Sequence, residues 1–270
     1  MTFIQSEASM TIGLIIIGDE ILSGKRSDAH FPKVVSLLGA RGLQLGWAQY
    51  LADDPARITA TLKRSFASDD IVFCCGGIGA TPDDHTRQAA AAALGRPLVL
   101  HPQGKALIQE RIIDTAREKG ESADLNAADN LHRLKMAEFA EGAALIPNPY
   151  NKISGFALGS HYFVPGFPVM AWPMIEWVLD THYAHLFHRE ARAELAVLVY
   201  EAAESALTPL MEAIEAAYPL VKVFSLPSVG DAVTRRHIEL GVKGDPVQAA
   251  AAFADMCAGL DRLHAEYAPT

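Results

Sequence analysis

The chain alternates between short unbroken apolar runs and stretches in which apolar residues recur every three or four positions. Ile12-Gly13-Leu14-Ile15-Ile16-Ile17 is apolar throughout and rich in β-branched residues, the pattern of a strand covered on both faces of a parallel sheet. Phe31, Val34, Val35 and Leu38 then recur at helical spacing; Pro32 blurs the start of that helix, and Gly39 and Gly42 end it. Residues 43–51 read as a second strand, closing at Ala52-Asp53. Asp54 caps the next helix, with Pro55 at its first position and Ile58, Leu62 and Phe66 as its inward face. A third apolar strand, 71–75, runs into a glycine turn and a further helix. Thr81 stands as N-cap, Pro82 at the first helical position, Asp83 and Asp84 in the first turn, and Gly95 closes the helix. This order of strands and helices with short connections predicts an α/β fold, a doubly wound and mostly parallel sheet.

Further on, 103–136 reads as helical with a polar break at 120–124, and 143–146 as a short strand. The loop 147–152, with two prolines and two asparagines, continues neither element. Residues 156–158 and 162–164 read as a hairpin turning at Gly159-Ser160. The turn Pro165-Gly166-Phe167-Pro168 leads into a helix over 169–187, whose Trp172, Ile175, Trp177 and Leu179 fit a core or an interface. Near Glu190 the composition shifts from aromatic to charged and Ala-rich. The expected organisation is a flexible tail (1–10), a main domain (11–189) and a small α/β module (190–270). That module reads as strand 195–200, helix 208–217 opening at Thr208-Pro209, strands 221–226 and 235–242, and a helix capped by Asp245 that runs to about residue 265.

Half of the 270 residues are hydrophobic, so a large core is available. The formal net charge of −9 argues against nucleic acid as a partner, which calls for clustered Lys and Arg. The three cysteines, Cys74, Cys75 and Cys257, form neither a disulfide framework nor a metal-ligand spacing and fit buried packing. The first ten residues lack the basic and apolar regions of a signal peptide, and no apolar run is long enough to span a bilayer. A soluble, cytoplasmic protein with no membrane partner is expected. His182, His185 and His188 recur at intervals of three, but with no acid or Cys motif beside them they read as solvated or aromatic-packed.

The candidate chemistry sits in the glycine turn. Gly76, Gly77 and Gly79 let the backbone approach a ligand closely, and the amides of such a turn attract phosphate or carboxylate oxygens. Asp83 and Asp84 would repel a bare phosphate, so a phosphorylated ligand would be better accommodated with a divalent cation between the two sets of oxygens. A purely structural reading stands beside this one, since the helix macrodipole alone favours acidic residues in a first turn. The spacing is neither the Walker pattern nor the dinucleotide fingerprint. At the end of the first strand, Gly18-Asp19-Glu20 and Ser23-Gly24-Lys25 form either one rim of a site or a solvated turn.

Four segments together resemble the signatures of the CinA-like molybdopterin-binding family: Gly18-Asp19-Glu20-Ile21-Leu22-Ser23-Gly24, Gly76-Gly77-Ile78-Gly79-Ala80-Thr81-Pro82-Asp83-Asp84-His85-Thr86, Asn148-Pro149 through Gly155-Phe156, and Pro165-Gly166-Phe167-Pro168. The resemblance covers roughly 12–187; the following module resembles the extension of short members, without the carboxy-terminal amidohydrolase domain, so nicotinamide-mononucleotide deamidation is not expected. It implies a three-layer α/β/α domain whose site is built at the strand ends by these segments. Molybdopterin adenylyltransferases of this fold use an aspartate of the turn in phosphoanhydride chemistry, and Asp84 with Thr86 matches that position. Several CinA amino-terminal domains are divalent-metal-dependent ADP-ribose pyrophosphatases.

Two positions depart from the family pattern. The middle loop, commonly Asn-Pro-x-Gly-Thr-Ala-Pro-Gly, here carries Tyr150-Asn151-Lys152 at its centre, and Lys152 would suit an anionic ligand. Met170 stands where a Glu is common. The expected function is to hold a phosphorylated pterin, molybdopterin included, or a nucleotide. Gly18, Asp19, Glu20, Gly24, Gly76, Gly77, Gly79, Thr81, Thr86, Asn148, Lys152 and Gly166 would bind it. The alternatives are an ADP-ribose-type pyrophosphatase, with Asp84 and Asp83 as catalytic and metal-binding residues for Mg, Mn or Co, and an inactive scaffold. A homo-oligomer, a dimer, is expected because the aromatic segment 172–187 and the added module give more apolar surface than a single α/β domain commonly leaves uncovered.

Overall fold

Ile12–Ile17 (β1) is buried at every position, and its side chains divide by parity. Ile12, Leu14 and Ile16 enter one core, Ile15 and Ile17 the other, as the period of two requires of a strand packed on both faces. Ile71–Cys75 (β3) does the same, with Ile71, Phe73 and Cys75 on one side and Val72 and Cys74 on the other. The structure is a computed structural model that describes residues 10–189, 192–231 and 233–270; all but the last residue of the expected tail lies outside them.

Two compact units divide the chain, one ending at Phe187 and the next beginning at His188. Between β1 and β3 run the short Asp19–Leu22 (α1), His30–Gly39 (α2), Trp47–Leu51 (β2) and Pro55–Ser65 (α3). After β3 come Thr86–Leu94 (α4), Leu98–Leu100 (β4), Pro102–Glu118 (α5), Ala128–Arg133 (α6), a 3₁₀ turn Leu134–Ala137, and Glu138–Ala140 (β5). Ala144–Ile146 (β6), Gly155–Leu158 (β7), His161–Val164 (β8) and Pro168–His182 (α7) complete the unit. One six-stranded sheet has the order β2-β1-β3-β8-β7-β6. Its first four strands are parallel neighbours and the β6–β7–β8 edge is antiparallel. One core includes Val34, Leu37 and Leu38 of α2 with Met174, Ile175 and Val178 of α7; the other includes Ile58 and Leu62 of α3 with Ala89 and Ala90 of α4. The expected three-layer α/β/α domain with a mostly parallel sheet is the fold.

Several local expectations need correction. The helix after the glycine turn begins at Thr86, not Thr81. Asp84 donates its amide to the Thr81 carbonyl at 3.0 Å, so Thr81 to Asp84 close a β-turn with Pro82 at its second position; Thr-Pro-Asp is a turn signature as much as a helix start. Gly95 does end α4 in the left-handed region. The second strand starts at Trp47 rather than 43. In α2 the buried face is His30, Val34, Leu37 and Leu38, while Phe31 and Val35 are exposed. The β4–β5 pair is too short to show a period. His182 packs against Tyr162, Trp177 and Tyr183, as the aromatic-packed reading expects.

The second unit comprises Ala193–Tyr200 (β9), Glu204–Ala217 (α8), Val221–Ser228 (β10), His237–Gly244 (β11), Pro246–Arg262 (α9) and Tyr267–Pro269 (β12). Its antiparallel sheet, ordered β10-β11-β9-β12, is the split βαββαβ arrangement. Leu207, Ile214, Ala252 and Met256 of its helices pack against Val197, Val199, Leu240 and Val242. Here α8 starts four residues before Thr208, so Pro209 lies inside the helix. The bond it forgoes is to the carbonyl of Ser205 near the exposed helix start. The terminal strand β12 was not expected.

Candidate functional site at the strand ends

The carboxyl ends of β1, β2, β3 and β8 open onto one cleft of about 470 Å³, where ligands collect in open α/β sheets. Gly18 and Glu20 line it after β1, Asp53 after β2, Gly76 to Thr81 with Asp83 and Asp84 after β3, and Pro165, Gly166 and Phe167 after β8. Asn148, Asn151, Ile153 and Ser154 of the β6–β7 loop, with Met136 and Met170, form the remaining wall.

The glycine turn is held from behind. Thr86 is fully buried; its hydroxyl donates to the Gly76 carbonyl at 3.0 Å and its amide to the Gly77 carbonyl at 3.0 Å. Arg87 Nη2 donates to the Gly79 carbonyl at 2.7 Å. A trans peptide points its N–H opposite to its C=O. Drawing these three carbonyls back therefore turns the amides of Gly77, Ile78 and Ala80 to the other side of their peptide planes. Among the described residues no hydrogen bond uses the amides of Gly77, Ile78, Gly79 or Ala80. Gly76 and Gly77 adopt φ of +108° and +68°, and a Cβ on them would collide with the Ile17 carbonyl and the Thr86 hydroxyl. A Cβ on Gly79 would strike the Asp84 carboxylate.

Asp84 Oδ2 accepts from the Thr81 amide at 2.9 Å and the Thr81 hydroxyl at 2.5 Å, so this carboxylate closes the turn as well as lining the cleft. Asp53 and Asp19 exchange bonds, Asp19 N–H to Asp53 Oδ2 at 2.8 Å and Asp53 N–H to Asp19 Oδ1 at 3.2 Å. Burial raises the proton affinity of Asp53, and the charges of Asp19, Glu20 and Asp83 add to that, against the Asp19 amide, which favours the carboxylate. The cleft is thus acidic, with Glu20, Asp53, Asp83 and Asp84 facing a single cationic lining residue among those described, Arg26. Yet no group of three or more His, Cys, Asp or Glu converges to hold a metal ion among the described residues.

Of the expected site residues, Gly18, Glu20, Gly76, Gly77, Gly79, Thr81, Asp83, Asp84, Asn148 and Gly166 line the cleft, whereas Asp19, Gly24, Thr86 and Lys152 do not. Asp19 braces Asp53, and Thr86 braces the turn. Gly24 takes φ +71° just past α1 with open space at its Cβ. Lys152 gives its ammonium to Glu110 at 2.5 Å and Asp114 at 2.7 Å on α5. Asn148 is buried and organises its own loop, donating to Asn151 Oδ1 and the Ile153 carbonyl and accepting from the Tyr150 amide. Gly166 lies against Gly76, where a Cβ would come within 3.4 Å of its Cα.

Sequence reasoning missed Arg26, Asp53, Arg87 and Phe167 as parts of the site. For Arg87 a signal existed: it shares a helix face with Ala90 and Ala91, both buried, and a charge on an apolar face asks for a reason. The others meet only when distant strand ends converge.

The fold and cleft define a class, a three-layer α/β/α protein with a glycine-rich turn at the carboxyl edge of its sheet. Residues 13–185 match the family described as a probable molybdopterin binding domain, and the chain belongs to that family. A CinA-like protein of Anaeromyxobacter sp. strain K is 30% identical over 210 residues, covering 75% of this chain and 49% of that protein. One from Syntrophotalea carbinolica is 28% identical over 221 residues, covering 78% and 51%. The chain thus spans about half the length of these curated relatives. Among solved structures, the protein CinA of unknown function from Thermoplasma acidophilum superposes with a TM-score of 0.52 at 25% identity, covering 63% of this chain and 96% of that one. Among the described residues no helix is long and apolar enough to cross a membrane.

Proposed function

We propose that the cleft binds a phosphorylated heteroaromatic small molecule, a pterin such as molybdopterin or a nucleotide, with its phosphate oxygens on the glycine turn. The observation that carries this reading is the orientation of the turn's peptides, three carbonyls drawn back by Thr86 and Arg87 and the amides of Gly77, Ile78 and Ala80 left without acceptors. A volume of about 470 Å³ suits a ligand of that size. Phe167, Ile153, Met136 and Met170 give the cleft apolar lining for a flat ring. The carboxylates of Asp83 and Asp84 would repel bare phosphate. Asp83 and Asp84 would hold a divalent ion, Mg, Mn or Co, whose charge would offset that repulsion.

The acidic lining favours a second reading, hydrolysis of a nucleoside diphosphate linkage of the ADP-ribose type. When bound, the cation would polarise the phosphoanhydride and activate water. Asp84 and Asp83 would hold it beside the phosphates; water, giving up a proton to solvent, would form the new P–O bond as the bridging P–O bond breaks, and the leaving phosphate oxygen would make the second of two phosphomonoesters. Met170 lines the cleft at the position where the family pattern that the sequence resembles has a Glu, and the missing carboxylate favours binding over hydrolysis. The third reading, a scaffold that keeps the fold alone, predicts neither. Calorimetry and a phosphatase-coupled assay for the two phosphomonoesters that such cleavage leaves, run on a panel of nucleotides with and without Mg²⁺, Mn²⁺ or Co²⁺, separate the three: saturable binding without turnover supports the first, metal-dependent phosphomonoester formation the second, and neither signal the third. The reading takes the protein to act in the cytoplasm as a homo-oligomer, a dimer; Phe31, Val35, Val169 and Trp177 are exposed on α2 and α7, helices that share one core.

A further inference from the structure

We infer that Arg87 is the positioning residue of the cleft, a buried guanidinium that sets the anion affinity of the glycine turn and ties it to the wall bearing Met136; this rests on the phosphate-binding reading. Arg87 is 2% exposed. Its Nη2 donates to the Gly79 carbonyl at 2.7 Å, and its Nη1 donates to the Glu138 carbonyl at 3.2 Å and to the Lys135 carbonyl. Its Nε is buried with no acceptor. None of its hydrogen-bond partners is a carboxylate. A buried charge whose hydrogen bonds all go to neutral carbonyls, with the charges of Glu138 and Asp84 offsetting only part of its desolvation, is an expensive way to fill a core position, which an apolar side chain would fill at less cost.

The geometry supplies the reason for that cost. Gly79 has no Cβ, so its backbone is freer to rotate than that of any other residue. With the Gly79 carbonyl on Arg87, the Ala80 N–H is turned to the opposite side. Were the peptide to rotate, a carbonyl oxygen would replace an amide hydrogen and attraction for an anion would become repulsion. The Lys135 and Glu138 carbonyls flank Met136, which lines the cleft. One side chain therefore fixes both the turn and the facing wall, and its charge adds to the turn's attraction for anions. Arg87 does not line the cleft and acts on a ligand through the backbone it holds.

The test uses the full chain and inorganic pyrophosphate with Mg²⁺ as the probe, measured by calorimetry. Arg87→Lys keeps the charge, but one ammonium cannot span three carbonyls from two segments. Its pyrophosphate affinity should fall at least tenfold, whereas Leu62→Ala, a core variant on the buried face of α3, should lose stability and keep its affinity. Unchanged affinity in Arg87→Lys, or losses in the two variants that merely track their lost stability, would overturn the inference. Should Arg87→Lys fail to fold, wild-type amide NMR decides. Pyrophosphate should move the Gly77, Ile78 and Ala80 amide resonances most, and binding that leaves Ala80 unmoved defeats the proposal. A wild type that does not bind pyrophosphate defeats the phosphate-binding reading itself, and this inference with it.

Discussion

Lys152 Nζ lies 2.7 Å from Asp114 Oδ2, so the positive charge that the β6–β7 loop brings near the cleft is taken up by α5. The ion pair raises the proton affinity of Lys152 and lowers that of Asp114, each through the hydrogen bond between them. Arg26 lines the cleft, and no ion pair engages its side chain among the described residues. Arg26, for which the sequence suggested no role, therefore stands where an anion contact was expected of Lys152. Arg26→Gln should weaken pyrophosphate binding by about tenfold, the scale of one charge-assisted hydrogen bond of roughly 1.5 kcal/mol. Lys152→Gln should change it by less than about twofold. Calorimetry on both variants decides, and the reverse ranking would return the anion contact to Lys152.

Gly77→Val tests the turn. The residue has φ +68° and its Cβ would collide with the Thr86 hydroxyl, the group that holds the Gly76 carbonyl. The left-handed conformation alone costs a branched side chain roughly 1 kcal/mol or more, and the collision also loosens the Thr86 bond. Pyrophosphate binding should be lost while far-UV circular dichroism keeps its shape. Unchanged affinity would place the site elsewhere.

What was legible in the sequence was what is local or repeats with a period. β1 and β3 were readable because both faces are buried, leaving unbroken apolar runs, and Asp54-Pro55 marked a true helix start, with Asp54 accepting from the Ala56 and Arg57 amides. Thr81-Pro82-Asp83-Asp84 misled because the same residues open a helix or close a turn. The choice is made by Thr86 and Arg87, whose bonds to Gly76, Gly77 and Gly79 leave no room for a helix before them. The site was half legible for the same reason. Its glycines show as a motif, but Asp53 meets Asp19 across 34 residues and Arg87 meets Lys135 across 48, distances that no spacing rule reaches.

Assembly is a third test. Phe31, Val35, Val169 and Trp177 expose apolar surface on two helices of one layer, and burying it between copies would remove that surface from water. Light scattering at micromolar concentration should give the mass of a dimer, and Val35→Glu together with Val169→Glu should reduce it to that of a monomer. A strictly monomeric wild type sinks the expectation.

His161 predicts how stability depends on pH. Its ring is buried beside Phe66 at a centroid distance of 4.2 Å and is hydrogen-bonded to Ser65 Oγ at 2.8 Å. Burial pushes its pKa down to about 4, against the milder attraction of Asp70. In the unfolded chain the ring takes up a proton near pH 6.5, so between about 6.5 and 4 the unfolded state binds more protons than the folded one. Stability should therefore fall as pH drops through that window, by up to about 3 kcal/mol from this residue. Urea midpoints at pH 7, 5.5 and 4.5 should show that slope in the wild type and a shallower one in His161→Gln. Equal slopes would mean that His161 becomes charged without penalty in the fold.

Asp84→Asn separates binding from hydrolysis. The Asp84 carboxylate has two tasks, closing the turn on the Thr81 amide and hydroxyl and adding negative charge to the cleft. An asparagine oxygen can still accept the Thr81 bonds, so the turn should persist, at a stability cost of about 1 kcal/mol for exchanging a charged acceptor for a neutral one. The charge is lost entirely. If the cleft hydrolyses a phosphoanhydride with the help of a divalent ion, metal-dependent formation of the two phosphomonoesters should drop by orders of magnitude, because a carboxylate that would hold the ion beside the phosphates has lost its charge. If the cleft only binds, metal-free affinity for a nucleoside diphosphate should hold or improve, because a like charge beside the phosphates has gone. The two measurements move in opposite senses, so one variant assayed with and without metal decides between the readings. A variant that fails to fold would assign Asp84 to the turn alone and shift the catalytic question to Asp83 and Asp53.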